Sequence, residues 1–174
     1  MSEAVPGRRI GKVMMFLAWG AGILLATRYF GAWEDRQHNP NAQPQSVKGN
    51  GYVEVRLLGN RAGHYVVDGT INGTPVTFML DTGATQVAIP QPLARRLGLP
   101  LGAPITLNTA NGRSEGWRTR LSSLQLGDIR LNDVSALIAP GMEGDEVLLG
   151  MSALKQLDFT QQDGTLVLRQ QSSP

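Results

Sequence analysis

The chain has 174 residues, no cysteine, two histidines and a net charge of +2. That length allows one domain with a proper core plus an extension. Without Cys there is no disulfide framework, thiolate chemistry or zinc–cysteine site. The positive excess lies at the N-terminus: residues 1–33 hold four basic side chains (Arg8, Arg9, Lys12, Arg28) against Glu3, and the rest holds twelve basic against thirteen acidic. The remaining chain is therefore near neutral and lacks the basic face of a nucleic-acid-binding domain.

Residues 1–12 read as a basic cytoplasmic N-terminus. Val13 to Thr27 is an uncharged, mostly apolar run. Arg28 interrupts it before Tyr29-Phe30-Gly31-Ala32-Trp33. An Arg near the end of a span can snorkel, and Tyr and Trp suit the interfacial belt. Residues 13–33 are therefore expected to form a transmembrane anchor. A cleavable signal peptide is the competing reading, but no small-x-small site follows the run, and an uncleaved anchor is expected. The basic flank predicts a single pass through the cytoplasmic (inner) membrane, with the N-terminus inside and the rest outside, in the periplasm. Residues 34–50 are polar, with Pro40, Pro44 and several Asn and Gln, and read as a flexible linker. Residues 51–174 are expected to form the folded domain.

From Tyr52 the pattern is β. Tyr52 to Leu57 alternates, His64 to Ile71 is a second strand, and Asn72-Gly73 is a hairpin turn. Pro75 to Leu80 is a third strand that delivers Asp81. Pro92 to Gly98 reads as a short helix with a glycine stop. Ile105–Thr109 and Glu115–Leu126 form a hairpin about Asn111-Gly112. Ile129 to Ala139 is β-rich, Ser152 to Leu157 is a short helix, and Leu157 to Arg169 is a last hairpin about Asp163-Gly164. Many short strands with regular turns indicate an all-β, closed or sandwiched domain. Arg113, Arg118 and Arg120 form a local basic cluster, expected to be a solvated strand face. His38 and His64 lie far apart and lack clustered ligands, so no metal site is expected. No nucleotide loop occurs, and no cofactor is expected.

Asp81-Thr82-Gly83 carries the chemistry. A carboxylate at the end of an apolar run is costly to ionise unless it is hydrogen-bonded or used. Gly83 lets backbone amides approach it closely. Asp81-Thr82-Gly83-Ala84-Thr85 between two apolar strands, followed near the C-terminus by Val147-Leu148-Leu149-Gly150, resembles the two signatures of retroviral-type (retropepsin-like) aspartic proteases. The resemblance covers about Tyr52 to Arg169. Its N-terminal segment, Gly63-His64-Tyr65 and Thr109-Ala110-Asn111-Gly112 look like the bacterial, membrane-anchored branch of that family.

The resemblance implies a single-lobe, closed β-barrel with one or two short helices, behind one transmembrane helix. It implies an aspartic endopeptidase that hydrolyses peptide bonds with water activated by an Asp dyad. Two carboxylates sharing one proton supply a base and an acid together. Asp81 is the one such loop carboxylate in the chain, so the dyad implies a homodimer acting on a polypeptide. By the same resemblance, Thr82 would brace the two loops and Gly83 would offer N–H donors. Ala84 and Thr85 would shape the subsite wall. Ala110, Asn111 and Gly112 would form the tip of a substrate-covering flap, and Leu148, Leu149 and Gly150 would pack beside the catalytic loop. Asp68, Asp128 and Asp133 read as solvated turns. Thr85-Gln86 stand where retroviral enzymes carry an acidic residue, so their subsite contacts do not transfer. The alternative is a non-catalytic peptide-binding or dimerisation module on the same fold, with Asp81 structural.

Overall fold

The computed structural model describes residues 7–109 and 112–171. The chain divides into two compact units, residues 1–37 and 38–174. The first is the helix α1 (Gly7–His38), which ends one residue into the second. Its 32 residues rise about 48 Å at 1.5 Å per residue. Phe16, Trp19, Ile23, Leu24 and Tyr29 are all exposed, so the apolar surface is not confined to one stripe. Residues 11–38 are long and apolar enough to cross a membrane.

The second unit is a β-domain. In chain order it comprises β1 (Gln45–Gly49), β2 (Tyr52–Leu58), β3 (Val66–Ile71), β4 (Thr74–Leu80), β5 (Val87–Pro90), α2 (Gln91–Arg96), β6 (Pro104–Thr109) and β7 (Gly112–Leu126). Then follow β8 (Ile129–Ala139), β9 (Glu146–Leu149), α3 (Met151–Leu154), β10 (Asp158–Gln162) and β11 (Thr165–Gln171). One sheet runs β3-β4-β9-β5-β8-β7-β6, and β3 also pairs with β7 at Thr70↔Gln125 and Ile71↔Leu124. That pairing closes the sheet into the expected barrel, with two short helices beside it.

The second sheet, β1-β2-β11-β10, is antiparallel throughout. Its inner face contributes Val55, Leu57, Leu166 and Leu168 to the same core as Phe78, Ile89, Leu121, Ile138 and Leu149. The alternation along β2 and β11 places these side chains inward on every second residue. On the outer face, Glu54 is buried between Arg169 (2.8 Å) and Arg56 (2.9 Å). The hydrogen bond from Arg169, then that from Arg56, holds its carboxyl below the usual glutamate value. The Arg169 guanidinium also lies 4.3 Å from the centre of the Tyr52 ring.

The structure corrects the reading of residues 34–50 as a flexible linker. The helix runs on to His38 and residues 45–49 are a sheet strand. Between them, Asn41 is 5% exposed and replaces backbone partners at a strand junction. Its Nδ2 donates to the Leu58 and Val66 carbonyls at 3.0 and 2.7 Å, and its Oδ1 accepts from Leu58 N at 2.7 Å. Asn39 Nδ2 donates to Asp68 Oδ1 at 2.8 Å, and the His38 ring contacts the Glu146 carboxylate. Polar side chains that look like linker composition thus bind three strands. The compact unit begins at residue 38, not 51.

Asp68 is also corrected: it lies inside β3, not in a turn, and accepts from Thr77 Oγ1 at 2.8 Å. Asn72 and Gly73 both take left-handed backbone, with φ of 50° and 82°. That is the hairpin turn expected of Asn-Gly.

Candidate active site

Three strands build the site. β9 lies between β4, to which it is parallel (Leu80↔Leu149), and β5, to which it is antiparallel (Ala88↔Leu148). Residues 81–86 therefore leave β4, pass the end of β9 and enter β5 on its other side. The apolar runs on both flanks of Asp81 are the reason. Phe78, Val87, Ile89, Val147 and Leu149 are completely buried, and this fixes the strands on which the polar loop rides.

Asp81 is half-buried, while Thr82, Gly83 and Thr85 are exposed. Asp81 N donates to Leu149 O at 3.2 Å, and Ala84 N closes the turn onto Asp81 O at 3.2 Å. The Asp81 carboxylate accepts from Gly83 N through Oδ1 at 2.8 Å. An Asp bonded to a backbone amide two residues on is a self-contained turn that sets the direction of the carboxylate. A Cβ on Gly83 would stand 3.1 Å from the same Oδ1, so glycine keeps that oxygen uncrowded.

Gly150 is required by space, not by conformation. Its φ of −87° suits any residue, but a Cβ there would lie 2.3 Å from Gln86 O and 2.7 Å from Ala84 O. The loop backbone crosses directly over it. Met151 N then donates to Ala84 O at 2.8 Å. Leu148 and Leu149 hold the register of β9 against β5 and β4.

Ser152 completes the anchorage and was not singled out by sequence reasoning. Its buried hydroxyl accepts from Val87 N at 3.0 Å and donates to Ser135 O at 2.7 Å. It ties α3 to the loop exit and to β8. A Ser two residues after the Leu-Leu-Gly signature was the available signal, but a hydroxyl early in a short helix has many ordinary uses.

The β6–β7 hairpin pairs Thr109 with Gly112, and Gly112 has φ of 107°. Ala110 and Asn111, expected at the flap tip, lie outside the described residues. Trp117, at the base of the hairpin, packs against the core. The other acids singled out from sequence are engaged elsewhere. Asp68 accepts from Asn39 and Thr77, Asp128 pairs with Lys48 at 3.1 Å, and Asp133 pairs with Arg120. His64 is exposed, and His38 contacts Glu146.

Residues 67–156 match the family described as gag-polyprotein putative aspartyl protease. The fold is similar to a solved retropepsin-like aspartic protease from Rickettsia conorii. The TM-score is 0.60 with 26% identity, covering 75% of this chain and 97% of that one. The chain belongs to the retropepsin-like aspartic protease family. Among curated proteins, it is 32% identical over 114 residues to "Uncharacterized protein in cobV 5'region" of Sinorhizobium sp, covering 64% of this chain and 49% of that protein. It is 28% identical over 118 residues to "Uncharacterized protein RP867" of Rickettsia prowazekii (strain Madrid E), covering 66% and 50%. The chain spans about half the length of these curated relatives.

Proposed function

We propose that this protein is a membrane-anchored aspartic endopeptidase, with Asp81 as its catalytic carboxylate and a homodimer as its working form. One observation carries the reading: the half-buried Asp81 sits on a loop clamped at both ends, its carboxylate held by Gly83 N at 2.8 Å, with Thr82 and Gly83 after it exposed. A carboxylate so held can face a second carboxylate across a two-fold axis. Like charges that close cannot both ionise, so one acts as base on a water while the other, protonated, donates to the scissile carbonyl. The pair titrates as a unit. The engagement of Asp68, Asp128 and Asp133 with other side chains supports a second Asp81 as the partner. Thr82, exposed at the loop tip, is suited to brace the two loops, and Ala84 and Thr85 to shape the subsite wall.

The hairpin with Ala110, Asn111 and Gly112 at its tip is assigned as the flap over an extended peptide. Leu148, Leu149 and Gly150 are assigned a structural role under the loop. In this reading residues 1–12 lie in the cytoplasm, residues 13–33 of α1 cross the inner membrane, and the protease domain, from His38 onward, lies in the periplasm. The long apolar helix and its basic N-terminal flank support that topology. The test is the purified full chain in detergent, wild type against Asp81→Asn, on a denatured protein across acidic pH. Cleavage by the wild type alone is expected. Equal cleavage by both would overturn the assignment, and absence of cleavage by a well-folded wild type would favour a non-catalytic module.

A further inference from the structure

A groove opens beside the exit of the catalytic loop. Its volume is ≈ 360 Å³, and its lining includes Gln86, Gly102, Arg118, Thr119, Arg120 and Ser135. That is at the small end of ligand pockets, with room for a side chain rather than a cofactor. Its position follows from strand register. Ala136 of β8 pairs with both Val87 of β5 and Thr119 of β7, and Ser135 pairs with Arg120. The residues before Val87, the last of the loop that begins at Asp81, thus meet the β7–β8 face that bears the two arginines. Residues 102 and 103 extend the β6–β7 pairing along the edge of β7, through Gly102 N to Arg118 O (2.8 Å) and Arg118 N to Ala103 O (2.9 Å). The Arg118 backbone holds that pairing, which leaves its side chain uncommitted.

The charges are one-sided. Arg118 is exposed, and among the described residues its guanidinium has no ion-pair or hydrogen-bond partner. Arg120 is paired with Asp133, outside the lining. Among the described residues, no Asp or Glu lines the groove. The Thr119 hydroxyl, shut off from solvent, has no hydrogen-bond partner either. The lining thus offers the free Arg118 guanidinium and, among the described residues, no competing carboxylate. Arg presents a planar fork that matches a carboxylate through two parallel hydrogen bonds.

We infer that Arg118 makes this groove an outer subsite that selects a substrate peptide with an acidic side chain near the scissile bond. The inference rests on the endopeptidase reading. Gln86 is five residues along the loop from Asp81, a path of at most about 18 Å. An extended peptide covers that distance in about five residues, so the acidic residue falls within five positions of the cleaved bond.

The test uses the full chain in detergent, as wild type, Arg118→Ala and Arg118→Glu. The substrates are peptides that differ only in Glu, Gln or Lys at each of the five positions on either side of the scissile bond. The readout is the ratio of kcat/KM between paired peptides. The wild type should prefer Glu to Gln about fivefold at one position, the scale of a partly solvated ion pair, and the preference should shrink as salt is raised. Arg118→Ala should bring the ratio to about one, and Arg118→Glu should turn it toward Lys. A wild type with no acidic preference at any position, or a preference unchanged in Arg118→Glu, would overturn the inference. Fluorescence anisotropy of the same peptides on the Asp81→Asn chain separates the two readings. A Glu preference in binding that depends on Arg118, without cleavage by the wild type, would retain the groove and reject the protease. Cleavage without that preference would do the reverse.

Discussion

Replacing Asn41 with alanine should destabilise the β-domain by roughly 2–4 kcal/mol, from three lost hydrogen bonds at about 0.5–1.5 kcal/mol each with groups left unpaired. The Asn41 side chain bonds Leu58 O, Val66 O and Leu58 N at 3.0, 2.7 and 2.7 Å in a site that is 5% exposed. Asn41→Asp keeps an acceptor for Leu58 N but sets an oxygen against two carbonyls, so it should cost at least as much. For a domain of this size the loss corresponds to a fall in Tm of roughly 10 °C. Trp117 is the one Trp after residue 38 and packs against the core. Urea unfolding of a fragment beginning at His38 can therefore be followed by its fluorescence. A fragment beginning at Tyr52 should be weaker still, having lost β1 as well. A change below about 0.5 kcal/mol in Asn41→Ala, inside the range of a neutral surface substitution, would refute the reasoning and return residues 39–44 to the status of a linker.

Three further outcomes rest on contacts elsewhere in the domain. Gly150→Ala puts a methyl 2.3 Å from Gln86 O; it should abolish proteolysis and lower Tm sharply, because backbone rather than a flexible side chain must move, and thermal melts beside activity assays check this. Ser152→Ala leaves Val87 N without its acceptor and should cost about 1–3 kcal/mol, measured by urea unfolding. Glu54 has its carboxyl lowered from 4.5, chiefly by Arg169. Its contribution is therefore present above about pH 4.5 and is lost as pH falls through the lower folded value. Wild-type stability should drop in that acid window more steeply than that of Glu54→Gln, and parallel melts from pH 6 to pH 3 read the difference.

Much of the architecture was written in local pattern. Alternation located β2, Asn72-Gly73 and Asp163-Gly164 set two hairpins, and the apolar runs around Asp81 placed the loop between β4 and β5. What local pattern could not carry is long-range polar bonding. Asn41 looks like linker composition because its value lies in carbonyls 17 and 25 residues away. Asp68 sits before a glycine, which reads as a turn, yet Asn39 and Thr77 make it a strand residue. The Leu-Leu-Gly signature was visible, but not its cause: the loop backbone of Ala84 and Gln86 lies against Gly150. Ser152 carries no signal until the fold brings Val87 and Ser135 to its hydroxyl.

The central claim is that two copies of Asp81 share one catalytic site. Wild-type chain mixed and co-reconstituted with increasing Asp81→Asn chain tests it most directly, with total protein held constant. If each active site needs an Asp81 from both chains, activity per wild-type chain falls in proportion to the wild-type fraction, because mixed dimers are inactive. Activity per wild-type chain that stays constant at every ratio, in samples shown to exchange partners, would contradict the shared dyad.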